Sequence, residues 1–286
     1  MFSVRFAAIW ALCAAVLVWG LSFSATKIAL EHLSPAAILF PRFALAALLL
    51  TPLALRRGVA RLGLAEHGKV LGICVLFPGG YFALETMGLR LTSATNASLI
   101  AASIPMVVLG LSCLAGRAWP TAREASGVAA SLAGVALLVG LNAGPANAGD
   151  LMMLGAVLAA SVYMVAAGRL RGVPPLAFTT LQMFWGAVFF LPFFVQEAGA
   201  LAQAPAKALA AVAWLGLFCS AGGFLAYNYA LSRVPAARAS LFINAVPLVA
   251  ALGAHVALAE SVSPGQALGG ALVLASVAWA GARGGA

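Results

Sequence analysis

Charge is what this sequence has least of. Of its 286 residues only 8% are Asp, Glu, Lys or Arg, while 64% are apolar. A soluble domain covers its surface with roughly 25% charged residues, so a water-exposed globular fold is excluded and a polytopic membrane protein is predicted. Acids are scarcer than bases, 7 against 16, leaving a formal charge of +9. The bases sit singly between apolar spans and form no run or stripe, which argues against a nucleic-acid partner. Cysteine is also sparse. Cys13, Cys74, Cys113 and Cys219 all lie inside apolar stretches and read as small buried hydrophobes rather than a disulfide framework.

Catalytic and metal signatures are missing as well. There is no HExxH, no Cys or His cluster with ligand spacing, no GxSxG and no phosphate loop. No metal, cofactor or catalytic residue is therefore expected, and a non-enzyme is predicted. Gly20-Leu21-Ser22-Phe23 and Gly110-Leu111-Ser112-Cys113, with His255 as base, leave an intramembrane serine-type hydrolase as the alternative; it requires Ser and His within about 3 Å.

What the sequence does have is long apolar runs. A helix needs about 20 apolar residues to cross the hydrocarbon core. Ten stretches qualify: 6–28, 36–55, 69–90, 95–116, 124–141, 150–169, 176–195, 208–231, 238–259 and 265–282. The joints between them carry turn residues such as Ser34-Pro35, Trp119-Pro120, Pro174-Pro175 and Ser263-Pro264-Gly265. With the N-terminus placed in the cytoplasm, 12 of the 16 Lys and Arg residues fall on the inner side. That bias predicts both termini in the cytoplasm.

The chain also says one thing twice. Residues 77–105 return at 219–247, an ungapped shift of 142 positions that carries Gly80 onto Gly222, Phe82 onto Phe224, Leu89 onto Leu231 and Pro105 onto Pro247. Lys27 falls on Arg169 and Gly127 on Gly269 at the same shift, and a shift of 140 pairs Pro35 with Pro175, Arg42 with Gln182 and Pro52 with Pro192. Two halves of five helices each, 1–145 and 146–286, follow from this. Because five is odd, the second half is expected to enter the membrane inverted. The expected fold is all-α and polytopic, ten transmembrane helices as two inverted five-helix repeats. Paired Gly and Pro interruptions at matching places point to a transporter binding site.

Trp19-Gly20-x-Ser22-Phe23 with Lys27, Pro35 followed by Arg42-Phe43, and the helix pairs ending near Pro105 and Pro247 resemble the EamA branch of the drug/metabolite transporter superfamily over nearly the whole chain. The aromatic and glycine pattern of the third and eighth helices is similar to that of YddG-type amino-acid exporters. The resemblance implies export of small metabolites across a bacterial inner membrane, through a central cavity and without ATP. Gln182 stands where a second Arg would repeat Arg42.

Candidate site residues follow from depth and face. Pro78-Gly79-Gly80 and Gly222-Gly223 interrupt the third and eighth spans near their midpoints, and Pro105 and Pro247 bend the fourth and ninth. Each interruption frees backbone groups that need partners or a wet cavity, although close packing through small residues explains glycines equally well. Glu85 is the one acid well inside a span. It reads either as an ion pair with Arg42, fixed or gating, or as a proton carrier or amine-binding group. Tyr81 lies one turn before it on the same face. Trp19 and Ser22, Tyr163, Gln182 and Trp185, Tyr227 and Asn228, and Asn244 complete the expected lining. Asn96 and Ser98 read as caps, and His255 as a satisfied helix residue. The predicted partners are a lipid bilayer and a small-molecule substrate, expected to be an amino acid, aromatic and apolar ones included; drugs or nucleobases are the alternative cargo, and protons a candidate coupling ion.

Overall fold

The computed structural model describes residues 2–57, 63–92, 94–115, 121–139, 148–170, 172–258 and 264–281. Among them the protein is a bundle of helices. Helix α1 (Phe2–Leu30) is followed by α2 (Pro35–Arg56). Ser34 caps α2 by accepting from the N–H of Ala37 at 3.2 Å, with Pro35 in the first turn where its missing N–H costs nothing. The next rod is α3 (Leu64–Cys74) and α4 (Tyr81–Leu91), joined by a wide turn over Val75–Gly80 in which Phe77 is extended (φ −151°, ψ 108°). Then come α5 (Ala94–Ala101), α6 (Ile104–Leu114) and α7 (Ala122–Val139).

The second half begins with α8 (Ala148–Ala167) and α9 (Pro175–Val195), with the short α10 (Ala198–Gln203) after it. Helices α11 (Ala206–Trp214) and α12 (Phe224–Leu231) form one rod with a wide, π-type turn at Leu215–Gly223 between them. Helices α13 (Ala236–Leu241) and α14 (Val246–Leu258) flank a 3-10 segment, Phe242–Ala245, and α15 (Pro264–Gly281) closes the described chain.

The interruptions fall at equivalent places in the two halves. Shifted by 142, Val75–Gly80 lies inside Leu215–Gly223, and the break between α5 and α6 lands on Phe242–Ala245. Pro78, Pro105 and Pro247 account for three of these four sites, since each lacks the N–H that an α turn would use.

Seven helices among the described residues are long and apolar enough to cross a membrane: Phe6–Leu30, Pro35–Arg56, Leu64–Leu91, Ala148–Ala167, Pro175–Val195, Ala206–Leu231 and Arg238–Ala257. Three of the ten expected spans are not in that set. The fourth is divided after Ala101 into pieces of 8 and 11 residues, and α7 and α15, at 18 residues each, abut stretches outside the described residues. The expected boundary between halves at residue 145 and the C-terminal Ala286 also lie outside them.

Packing runs between the halves in reciprocal pairs. Helix α2 packs on α9 and α7 on α15. Helix α1 packs on the α11–α12 rod, and α8 on the α3–α4 rod; α1 meets α14 as α8 meets α5 and α6. The core this builds is aromatic at its centre, with Phe43, Phe77, Phe82, Tyr163, Phe224 and Tyr227 all buried in one cluster. Near the ends, charged side chains cap helix termini. Lys27 Nζ donates to the carbonyls of Leu89 (2.7 Å) and Thr92 (3.0 Å) at the end of α4, and Arg169 Nη2 donates to Ala115 just past α6 at 3.1 Å.

Two of the predicted glycines separate packing from winding. A Cβ on Gly223 would lie 2.8 Å from Val18 Cγ2 and 2.9 Å from Trp19 Nε1 on α1, whereas one on Gly80 meets only its own rod, the Val75 carbonyl at 3.6 Å. Gly223→Ala should therefore lower stability by about 1–3 kcal/mol through overpacking, and Gly80→Ala should be neutral or slightly stabilising. Thermal unfolding of both variants in detergent checks this; equal shifts would contradict the difference.

Candidate functional site

A cavity opens where the interrupted rods meet α1, α2 and α8. Its walls come from both halves: Trp19, Ser22 and Phe23 on α1; Arg42 on α2; Phe77, Tyr81, Phe82 and Glu85 along the third rod. Ala101 and Ile104 flank the α5–α6 break, and Ala160, Met164, Phe224, Ile243 and Val246 come from the second half. Counted as room for the centres of water-sized molecules, its volume is about 50 Å3. One water needs only about 10–15 Å3 on this measure, so several waters or one small solute fit.

Arg42 and Glu85 are the two charged residues of the wall. Both are buried, at 2% and 7% exposure. The expected ion pair between them is not made in this conformation. Arg42 Nε donates instead to Ser220 Oγ at 2.7 Å, and its guanidinium carbon lies 4.3 Å from the centre of the Phe82 ring. Glu85 Oε1 accepts from Tyr81 Oη at 2.8 Å. Each charge is thus held by a neutral hydroxyl, Arg42 by one on another helix and Glu85 by one a turn earlier on its own, and the Phe82 ring, 4.8 Å from that of Tyr81, touches both residues' surroundings. Cation–π contact with a desolvated arginine is worth about 2 kcal/mol, which helps keep Arg42 on its own side.

Behind the wall lies a second polar group. Tyr163 Oη donates to Asn228 Oδ1 at 2.6 Å, and Asn228 Nδ2 donates to Gln182 Oε1 and to Thr179 Oγ1, both at 3.0 Å. Gln182 Nε2 completes the chain by donating to the Phe77 carbonyl at 3.3 Å, the peptide oxygen of the extended residue in the wide turn. The Tyr163 ring stacks on Phe77 with centroids 4.2 Å apart. Tyr227 Oη meets Met164 Sδ at 3.3 Å, and its ring packs on Trp19.

The predicted site residues therefore separate. Trp19, Ser22, Arg42, Tyr81 and Glu85 line the cavity. Tyr163, Gln182 and Asn228 form the network behind it, and Tyr227 supports Trp19. The break residues Pro78, Gly79, Gly80, Gly222, Gly223, Pro105 and Pro247 shape the rods without themselves lining it; Phe77, Phe82, Ile104, Phe224 and Val246 beside them do. Trp185 packs against Phe184, outside the wall. Asn244 is fully buried with neither amide atom hydrogen-bonded among the described residues, while Ile243 next to it faces the cavity. Ser22 donates to the Trp19 carbonyl at 2.6 Å, and His255 is exposed on α14 and is not part of the cavity wall. Ser98 is buried, and the Asn96 side chain lies outside the described residues.

Ser220, Phe82, Thr179 and Met164 are not among the predicted site residues, although Phe82 belongs to the repeat and Ser220 to the interruption of the eighth span. Ser220 sits in a helix interruption, and its distance from Arg42 in sequence hides the contact. Thr179 and Met164 carry no local signal.

Comparison with known proteins was made on this geometry. The chain matches the profile of the EamA-like transporter family over residues 5–140 and again over 147–281. It is 30% identical to a protein of Streptantibioticus cattleyicolor named "Probable terminal-alkyne amino-acid exporter", over 94% of this chain and 92% of that one. Two proteins of Archaeoglobus fulgidus, each named "Uncharacterized transporter", are 27% and 29% identical over 92% of this chain and 94% and 93% of theirs. A solved crystal structure superposes with a TM-score of 0.79 at 21% identity, covering 96% of each chain, and shares the fold.

The network behind the wall makes a graded prediction. Asn228→Leu strands Tyr163 Oη and Gln182 Oε1 in the core, at about 1–3 kcal/mol for each group, whereas Tyr227→Phe gives up only a weak contact to sulfur. Thermal unfolding in detergent should show a much larger loss for Asn228→Leu. Similar losses would mean the network is not satisfied as described.

Proposed function

Because the chain belongs to the EamA-like transporter family, we propose that it exports small, partly apolar metabolites across a bacterial inner membrane by alternating access, amino acids with apolar or aromatic side chains foremost. The observation that carries this reading is the cavity itself. Its walls come from both halves, it lies beside the helix interruptions, and it is largely aromatic and aliphatic apart from Arg42, Glu85, Tyr81 and Ser22. A volume near 50 Å3 suits a small metabolite better than a drug-sized one.

The two halves act as the moving parts. With ten spans in two inverted repeats, exchanging the conformations of the halves converts an inward-open into an outward-open state. Both termini then face the cytoplasm, and the lysine and arginine bias supports that orientation. The amino-acid reading is supported by the name of the Streptantibioticus cattleyicolor relative and by the likeness to YddG-type exporters. Apolar side chains would meet Trp19, Phe77 and Phe224, and a substrate carboxylate would meet a basic residue or a freed backbone N–H.

Efflux from proteoliposomes tests this. Vesicles loaded in turn with leucine, phenylalanine, a nucleobase and a lipophilic cationic drug should release the amino acids faster than protein-free vesicles and retain the others. Release of none of them above the protein-free rate would overturn the transporter reading, and release of the drug or nucleobase alone would overturn the amino-acid one.

A further inference from the structure

We propose that Arg42 and Glu85 are the two ends of one recognition site, which grips a net-neutral zwitterion by its carboxylate and its ammonium together. This rests on the transporter reading above and goes beyond it in assigning the residues and the selection rule.

The argument starts from what the two charges lack. Arg42 spends Nε on Ser220, and among the described residues its two terminal nitrogens have no hydrogen-bond acceptor in the protein. Glu85 spends Oε1 on Tyr81, and among the described residues Oε2 has no donor. None of these three atoms is among the sealed polar atoms of the interior, and both side chains line the cavity. A guanidinium keeps its charge at any working pH, and a buried charge without a partner is expensive. Two opposite, half-used charges facing one small void call for an occupant that answers both.

The anchors make the arrangement selective. Ser220 and Phe82 hold the guanidinium, and Tyr81 holds the carboxylate, so the two do not collapse onto each other. An arginine fork matches a carboxylate geometrically, and a carboxylate oxygen accepts from an ammonium. The remaining wall, from Trp19, Phe23, Phe224, Ile243 and Val246, is apolar and takes a side chain. Since the site itself sums to zero charge, a zwitterion leaves it neutral. An anion lacking the ammonium leaves Glu85 unanswered, and an amine lacking the carboxylate leaves Arg42 unanswered. A site built to pair with a substrate group rejects analogues without it by up to about 10^4–10^5-fold, so at least ~100-fold is expected here for each missing end.

The test uses the full-length protein in proteoliposomes and reads competition against leucine exchange. Leucine should compete, while N-acetyl-leucine, leucinamide and isoamylamine should each be at least ~100-fold weaker. Glu85→Gln should narrow the gap for N-acetyl-leucine and not for leucinamide, and Arg42→Gln the reverse. The wild-type panel stands alone if either variant fails to fold. Leucine exchange with equal competition from all the analogues overturns this assignment and leaves the transporter reading intact. Absence of exchange of any amino acid, with another solute transported, overturns the assignment together with the amino-acid reading.

Discussion

A broken helix in an apolar slab must find partners for the backbone groups it frees, and the rest of this molecule is arranged around that need. Gln182, on the second helix of the second half, donates to the Phe77 carbonyl in the wide turn of the first half. Arg42, its repeat mate on the second helix of the first half, donates to the side-chain hydroxyl of Ser220, in the wide turn of the second, rather than to a backbone group. Each half therefore clasps the other's interruption from across the interface. An unmet carbonyl in an apolar slab costs several kcal/mol, so the wide turn of the first half depends on Gln182 of the second.

The clasps determine what the centre can be. They hold the extended Phe77 against Tyr163 and bring Phe82 and Phe224 to the same wall, giving an aromatic pocket rather than a closed helix seam. They also treat the two halves unequally. Gln182 is neutral and both its amide atoms are engaged in the network, whereas Arg42 carries a charge and, among the described residues, its terminal nitrogens have no acceptor. The single unrepeated arginine is thus where a symmetric scaffold becomes a polarised site, with Glu85 one helix away as its counterweight.

Much of this was legible in the residues. The 142-residue repeat located the interruptions in both halves, depth paired Arg42 with Glu85, and helical spacing put Tyr81 on the face of Glu85; all three line the cavity. Rotation about a helix axis was harder to read. Tyr163, Gln182 and Asn228 were expected to face the void and instead bond to one another behind its wall. Asn244 falls on a 3-10 segment, where the tighter winding changes the phase that an α-helical wheel assumes, and its neighbour Ile243 takes the cavity position. Nor does depth name a partner. Arg42 and Glu85 sit at similar levels, but nearer hydroxyls on Ser220 and Tyr81 hold each of them, and local pattern cannot rank a contact across 178 residues of chain.

The central claim is that the cavity between the clasped halves is reached from one side of the membrane at a time. It is tested most directly by thiol accessibility at two wall positions, Ser22→Cys and Ile243→Cys, in a variant lacking Cys13, Cys74, Cys113 and Cys219 that retains transport. A membrane-impermeant reagent should label both positions when added from either side of oriented vesicles, with saturating substrate slowing both reactions. Labelling confined to a single side, whatever the substrate, or no labelling from either, would contradict the account.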